Sequence, residues 1–318
     1  MSLTRRQFAA FTAGTTLLAG RAHAQYPDKT ITVLCAFPAG AGADASLRAL
    51  AQAAGKHLGQ SIVVDNRPGV AGTLAATTLL NARPDGYTLA QVTNTLVRQP
   101  FIARTPYDIA KDFSYVLGVT AFEFGLVVRA DAPWKTLADF LAHAKASGNV
   151  TYGTSGIGTA QHQVMEQLAE LRGIRWTHVP YKGTAPLLND LQGGHLTAVS
   201  DTTGWGPFVD AGKFRALAVY GPQRLKRWPT VPTLKESGFD LAEAVPWGLV
   251  APAGVPADAT RKLHDAFRKG LEDPQFLATL NTLGQEVRYM NSDGYRKYML
   301  DRIPVERAVV DRYNLKIQ

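Results

Sequence analysis

From residue 30 onward the chain alternates between short runs of strand-forming residues and longer segments of helical period. TITVLCAF (30–37) is followed by ADASLRALAQAAGKHLG (43–59), SIVVDN (61–66), the turn RPGVAG, TLAATTLLNA, the loop RPDG and YTLAQVT (87–93). Strands joined through helices run parallel, because a parallel pair needs a crossover too long for a hairpin. A second cycle begins near residue 125. It reads GLVVRA (125–130), TLADFLAHAKA (136–146) with a Thr-x-x-Asp capping box, NVTYGT (149–154), SGIGTAQHQVMEQLAELRG (155–173), WTHVPY, GTAPLLNDLQGG, LTAVSD (196–201) and FRALAVYG. Near 230 the texture becomes loop-like, and VPWGLVAPAGVP (245–256) precedes two closing helical stretches. The expected fold is therefore α/β, built as two units. The tail after 245 should add helices but little strand and should pack on the first unit. That makes 25–124 with 246–318 one discontinuous domain and 125–245 the second.

The first 24 residues stand apart from this pattern. TRRQF (4–8) is a basic stretch of twin-arginine type, AAFTAGTTLLAG (9–20) is weakly apolar, and AHA (22–24) supplies an A-x-A cleavage pattern. The apolar stretch is too short to span a bilayer stably. Residues 1–24 are expected to be an export signal removed after Ala24, leaving a periplasmic protein. Of the formal charge of +8, three units belong to Arg5, Arg6 and Arg21, so the remainder carries +5. No basic block is present, which speaks against nucleic acid as a partner. Cys35, the only cysteine, excludes a disulfide within the chain and is expected in the core.

FPAGAGAD (37–44) stands where the first strand hands over to a helix, and TSGIGTAQH (154–162) repeats that chemistry in the second unit. Small residues let the backbone approach a ligand, and a helix N-terminus offers unpaired N–H groups to anions. Neither turn carries the Lys of a P-loop. GAGADA (40–45) lacks the third Gly of a dinucleotide fingerprint, and GTSGIG (153–158) departs from G-x-S-x-G because Gly156 directly follows Ser155. No H-E-x-x-H or Cys/His cluster suggests a metal site, and no cofactor is implied. An exported hydrolase or lyase using Ser155 and His162 is the alternative to a binding protein without catalysis.

Ordered signatures then carry a resemblance. YPDKTITVLCAFPAGAGAD, GQSIVVDNRPGVAG, RPDGYTL, TPYDIAKDF, YGTSGIGTAQH, HVPYKGTAPLLNDLQGG, VPTLKESGFD and WGLVAPAGVP together resemble the solute receptors of tripartite tricarboxylate transporters, the Bug-type binding proteins, over the whole mature length. Ala41 and Ala71 replace family glycines, SLR replaces the A-R that follows the aspartate, and Gln163 replaces a common leucine. The resemblance implies a periplasmic binding fold of type II-like form, with two lobes, each a sheet flanked by helices, and a cleft between them. It further implies a small carboxylate as ligand and a membrane permease of two unlike subunits as partner. A monomer is expected. A receptor reporting to a membrane sensor would use the same site.

For the ligand, the backbone of Ala39, Gly40, Ala41, Gly42 and Ala43 is expected on one side, with Phe37 as a wall. Asp44 is expected to act more as a helix cap than as a contact. From the second unit Thr154, Ser155, Gly156, Gly158 and Thr159 are expected to face the ligand, with His162 one turn into the helix. Thr93, Asn94 and Thr95 are candidates for its far end. Lys182 is a candidate counter-charge, and Asp201 could orient water, accept a ligand donor or cap a loop.

Overall fold

The computed structural model describes residues 26–313 together with 315 and 316, where eleven strands form two sheets. The export-signal reading of residues 1–24 lies outside them. The strands are β1 (Ile31–Cys35), β2 (Ile62–Asn66), β3 (Thr88–Thr93), β4 (Phe113–Phe122), β5 (Phe124–Arg129), β6 (Thr151–Thr154), β7 (Thr177–Pro180), β8 (Ala198–Thr202), β9 (Phe214–Val219), β10 (Val245–Pro252) and β11 (Val287–Met290). One sheet has the order β11-β4-β10-β3-β1-β2 and the other β7-β6-β8-β5-β9. Both are mixed. β1 runs parallel to β2 and β3, and β6 to β7 and β8, whereas β10 and β5 lie antiparallel to their neighbours.

Helices α1 (Gly42–Leu58), α2 (Leu74–Leu79) and α3 (Thr95–Ile102) precede the first crossing between sheets. α4 (Leu137–Ser147), α5 (Ala160–Arg172), α6 (Thr184–Gly193) and α7 (Gly206–Asp210) accompany the second sheet. α8 (Ala257–Gly270), α9 (Pro274–Thr282) and α10 (Ser292–Arg312) close the chain. α1 shows why such segments are helical. Leu47, Leu50, Ala51 and Ala54 recur at helical spacing and are all buried, and Gly59 stops the helix in the left-handed region at φ 67°. Burying each leucine contributes about 2 to 3 kcal/mol. The Thr136–Asp139 capping box forms at the head of α4 as the sequence predicts, and Cys35 is fully buried beside Gln91.

The tail departs from expectation. It contributes β10, an interior strand between β3 and β4, and the edge strand β11. β10 is buried along nearly its whole length, so its apolar run shows no alternation that would mark a strand. α3 was equally hard to read because Pro100 lies inside it. Proline cannot donate to the carbonyl of Leu96, and the Tyr107 hydroxyl donates to that carbonyl instead at 3.0 Å.

The chain passes between the sheets twice, at Glu123 and through residues 220–244. The two crossings touch: a Cβ added to Gly221 would lie 2.6 Å from Glu123 Oε2. One apolar cluster runs through this region, including Phe122, Phe124, Tyr220 and Val245. Among the described residues no helix is long and apolar enough to cross a membrane.

Candidate functional site

The first Gly-rich turn is held rigid from within. Asp44 is buried, accepts from the Gly40 amide at 3.0 Å and from Arg48 Nε at 3.0 Å, and its other oxygen accepts from Asn66 Nδ2 at 2.7 Å. Burial would raise its pKa, but these donors outweigh burial and hold the carboxyl below its ordinary value. Asn66 also donates to the Phe37 carbonyl at 2.9 Å. Asp44 thus organises the turn. The amides of Gly40 and Ala41 are committed inside it, the latter to the Pro38 carbonyl at 3.2 Å. The donors left for a ligand are those of the first helical turn, at Gly42, Ala43 and Asp44.

The second turn is also self-bonded. Thr154 Oγ1 donates to the Gly156 carbonyl at 3.0 Å, and Thr159 Oγ1 donates to the same carbonyl at 2.9 Å. The Gly158 amide donates to His162 Nδ1 at 3.1 Å. His162 stacks on His178 with ring centroids 4.0 Å apart, and burial lowers its pKa. Its role in this geometry is to hold the turn. Ser155 Oγ accepts from Gln161 Nε2, so Ser155 and His162 lack the mutual hydrogen bond by which a base activates a nucleophile.

Between the sheets these turns border a narrow cavity of about 40 Å³. Of the residues expected from sequence, Phe37, Ala41, Gly42, Ala43, Ser155 and Asp201 line it. Ala39, Gly40, Asp44, Thr154, Gly156, Gly158, Thr159 and His162 belong to the turns and the first helical turns but are not part of the lining. Thr93, Asn94 and Thr95 are not part of the lining. Thr93 and Thr95 bond each other at 3.1 Å, and Asn94 Nδ2 donates to Glu306 at 3.3 Å. Lys182 is exposed and is not part of the lining.

Its two neighbours are. Gly183 and Thr184, at the head of α6, bring a further helix N-terminus to the cavity, joined by Thr202, Thr203 and Gly204. Sequence reasoning stopped at the lysine of PYKGTA and passed over the glycine that caps the next helix. Gly183 has φ 122°, and a Cβ there would lie 3.1 Å from Pro38 Cγ, so the two lobes meet at this point. Phe122, Leu283 and Gln285 complete the wall from the first sheet and tail. Among the described residues lining the cavity there is no lysine, arginine or histidine. Asp201 is fully buried at the end of β8; its Oδ1 accepts from Gln161 Nε2 at 3.1 Å.

Two lobes joined by two crossings, with unpaired helix amides converging between them, define a solute-binding protein of the periplasmic type. Residues 46–315 match the family model described as the tripartite tricarboxylate transporter family receptor, and the chain belongs to that family. It is 40% identical over 317 residues to a Cupriavidus necator protein named for the gbd 5' region, covering 98% of this chain and 97% of that one. Among solved structures it is similar to the periplasmic binding protein BugD, with TM-score 0.86, 28% identity, and 92% of this chain and 100% of that one covered. MatC from Rhodopseudomonas palustris with bound malate aligns with TM-score 0.81 at 28% identity, covering 90% and 100%. An R. palustris protein with adipate aligns with TM-score 0.84 at 28% identity, covering 90% and 97%.

Proposed function

We propose that this protein is a periplasmic receptor that captures a small carboxylate without catalysis and delivers it to a two-subunit membrane permease. The observation that carries the reading is the convergence of the α1 and α6 N-termini on a cavity without a cation. Oriented N–H groups favour an anion, and they release it more readily than a bidentate arginine clamp would. The malate and adipate held by related structures support carboxylates as the class. A thermal-shift screen over mono-, di- and tricarboxylates, followed by calorimetry and recovery of the ligand, tests it. Saturable binding with the ligand returned unchanged is expected. The absence of a shift with every acid at millimolar concentration would overturn the reading, and turnover lost in Ser155→Ala would replace it with the hydrolase alternative.

A cavity of about 40 Å³ is little more than one water's share of the liquid, about 30 Å³, and far below the roughly 300 Å³ at the lower end of drug-sized sites. Binding therefore requires the lobes to part and then close, with Glu123 and residues 220–244 as the hinge. On this reading residues 25–124 with 246–318 move against 125–245. Crystal structures with and without the bound acid should differ chiefly by a rotation of these two bodies. A difference confined to side chains within a fixed cleft would refute the hinge.

The proposed location rests on the twin-arginine stretch and the A-x-A pattern. Intact-mass analysis of the periplasmic fraction should find a monomer beginning at Gln25. A full-length chain held in the cytoplasm would contradict export.

A further inference from the structure

The cleft holds more than donors. Asp201 Oδ2 is buried and has no hydrogen-bond partner, and Gln285 Oε1, buried in the opposite wall, has none either. Both residues line the same cavity as the free amides of α1 and α6. A buried polar atom without a partner is costly, and a buried carboxylate without a counter-charge is more so. The polar groups around Asp201 are all neutral at neutral pH, and β5, its paired neighbour, places Gly125 beside it. They are Ser155 before α5, Gln161 on α5, Thr184 on α6, the Thr202 amide, Trp205 beyond β8 and Tyr220 after β9. None offers a positive charge.

Burial dominates, and it pushes the Asp201 carboxyl up to about 6; the bond from Gln161 to Oδ1 and the nearby neutral dipoles offset burial only in part and leave Oδ2 without a partner. At neutral pH the carboxylate is then ionised inside a buried shell that carries no positive charge. A simple carboxylate bound beside it would add a second negative charge. A ligand carrying an ammonium beside its acid group would place the anion on the helix N-termini and its cation against Asp201.

We infer that Asp201 is a specificity-determining residue of the cleft and that it selects 2-amino acids, receiving the ligand ammonium on Oδ2, with Gln285 Oε1 as a second acceptor. This inference rests on the proposed carboxylate-binding site and names the class of acid it takes. No covalent step is involved.

Three matched series test it by calorimetry at pH 7.5: propionate, lactate and alanine; succinate, malate and aspartate; phenylpropionate, phenyllactate and phenylalanine. In whichever skeleton binds, the amino acid should exceed the unsubstituted acid at least tenfold, with the hydroxy acid between them. Asp201→Asn should erase that order. Affinity of the wild type for the amino acid should fall as pH drops from 7.5 to 5, because protonated Asp201 loses its charge, and the variant should lack this slope between the same limits. Asp201→Asn should also melt no lower than the parent at pH 7.5 without ligand, since it removes an unpaired buried charge. An unsubstituted acid that binds as well as its amino partner, or an Asn variant that keeps the preference, would overturn the inference while leaving carboxylate binding intact. Failure of all nine acids at 10 mM while another acid of the wider screen binds would overturn the inference alone, and failure of every acid in that screen would overturn both.

Discussion

Arg98→Met is expected to lower stability by about 3 kcal/mol, the low end of what removing one partner of a buried ion pair costs. Arg98 and Glu306 are both fully buried, and their charges meet at 2.5 Å between α3 and α10. Arg302 also reaches Glu306, at 2.5 Å, and Asn94 donates to it, so the acid left behind would keep one counter-charge and one neutral donor, which is why the low end applies. At roughly 2 to 4 °C per kcal/mol, the melting temperature should fall by about 6 to 12 °C. The double variant Arg98→Met with Glu306→Gln should recover part of the loss, because the stranded charge is gone. Arg98 also spans the lobes: its Nη1 donates to the Gly158 carbonyl at 2.5 Å, so the variant should bind ligand more weakly as well. Thermal unfolding of the two variants and the parent checks this. A single variant within about 1 kcal/mol of the parent would show that the pair carries little.

Gly183→Val is the second large effect. At φ 122° a β-branched residue is strained by about 1 to 3 kcal/mol, and its Cβ would press on Pro38, which leads into the first turn. Both consequences hold the lobes apart where the N–H groups must converge. Affinity for the carboxylate identified by screening should drop at least tenfold, about 1.4 kcal/mol. Lys182→Ala, one residue away, should change it less than threefold, because that side chain is exposed and outside the cavity lining. Calorimetry on both variants, with circular dichroism to confirm folding, decides the matter. A large loss in Lys182→Ala with none in Gly183→Val would mean that a counter-charge, and not the amides, holds the ligand.

Local chemistry made much of the molecule legible. The Thr136–Asp139 box is encoded within one turn and forms as read, and the stop at Gly59 and the spacing of Leu47, Leu50, Ala51 and Ala54 are equally local features. The first turn at Phe37–Ala43 was legible for the same reason: small residues between a strand and a helix mean close backbone approach wherever they occur. Gly183 was not recognised, although PYKGTA lay in plain view, because a glycine before a helix reads equally well as an ordinary cap.

By itself the sequence determined the alternation of strands and helices, the family and the glycine-rich turns between strand and helix. Only the tertiary structure decided that VPWGLVAP becomes an interior strand, that Asn94 bonds a buried Glu306, and that Asp201 and Gln285 share one cavity. The physical reason is range. Propensity, caps and turns act over a few residues, whereas Asp201 and Gln285 become neighbours of one cleft only after the chain has crossed between two sheets and returned.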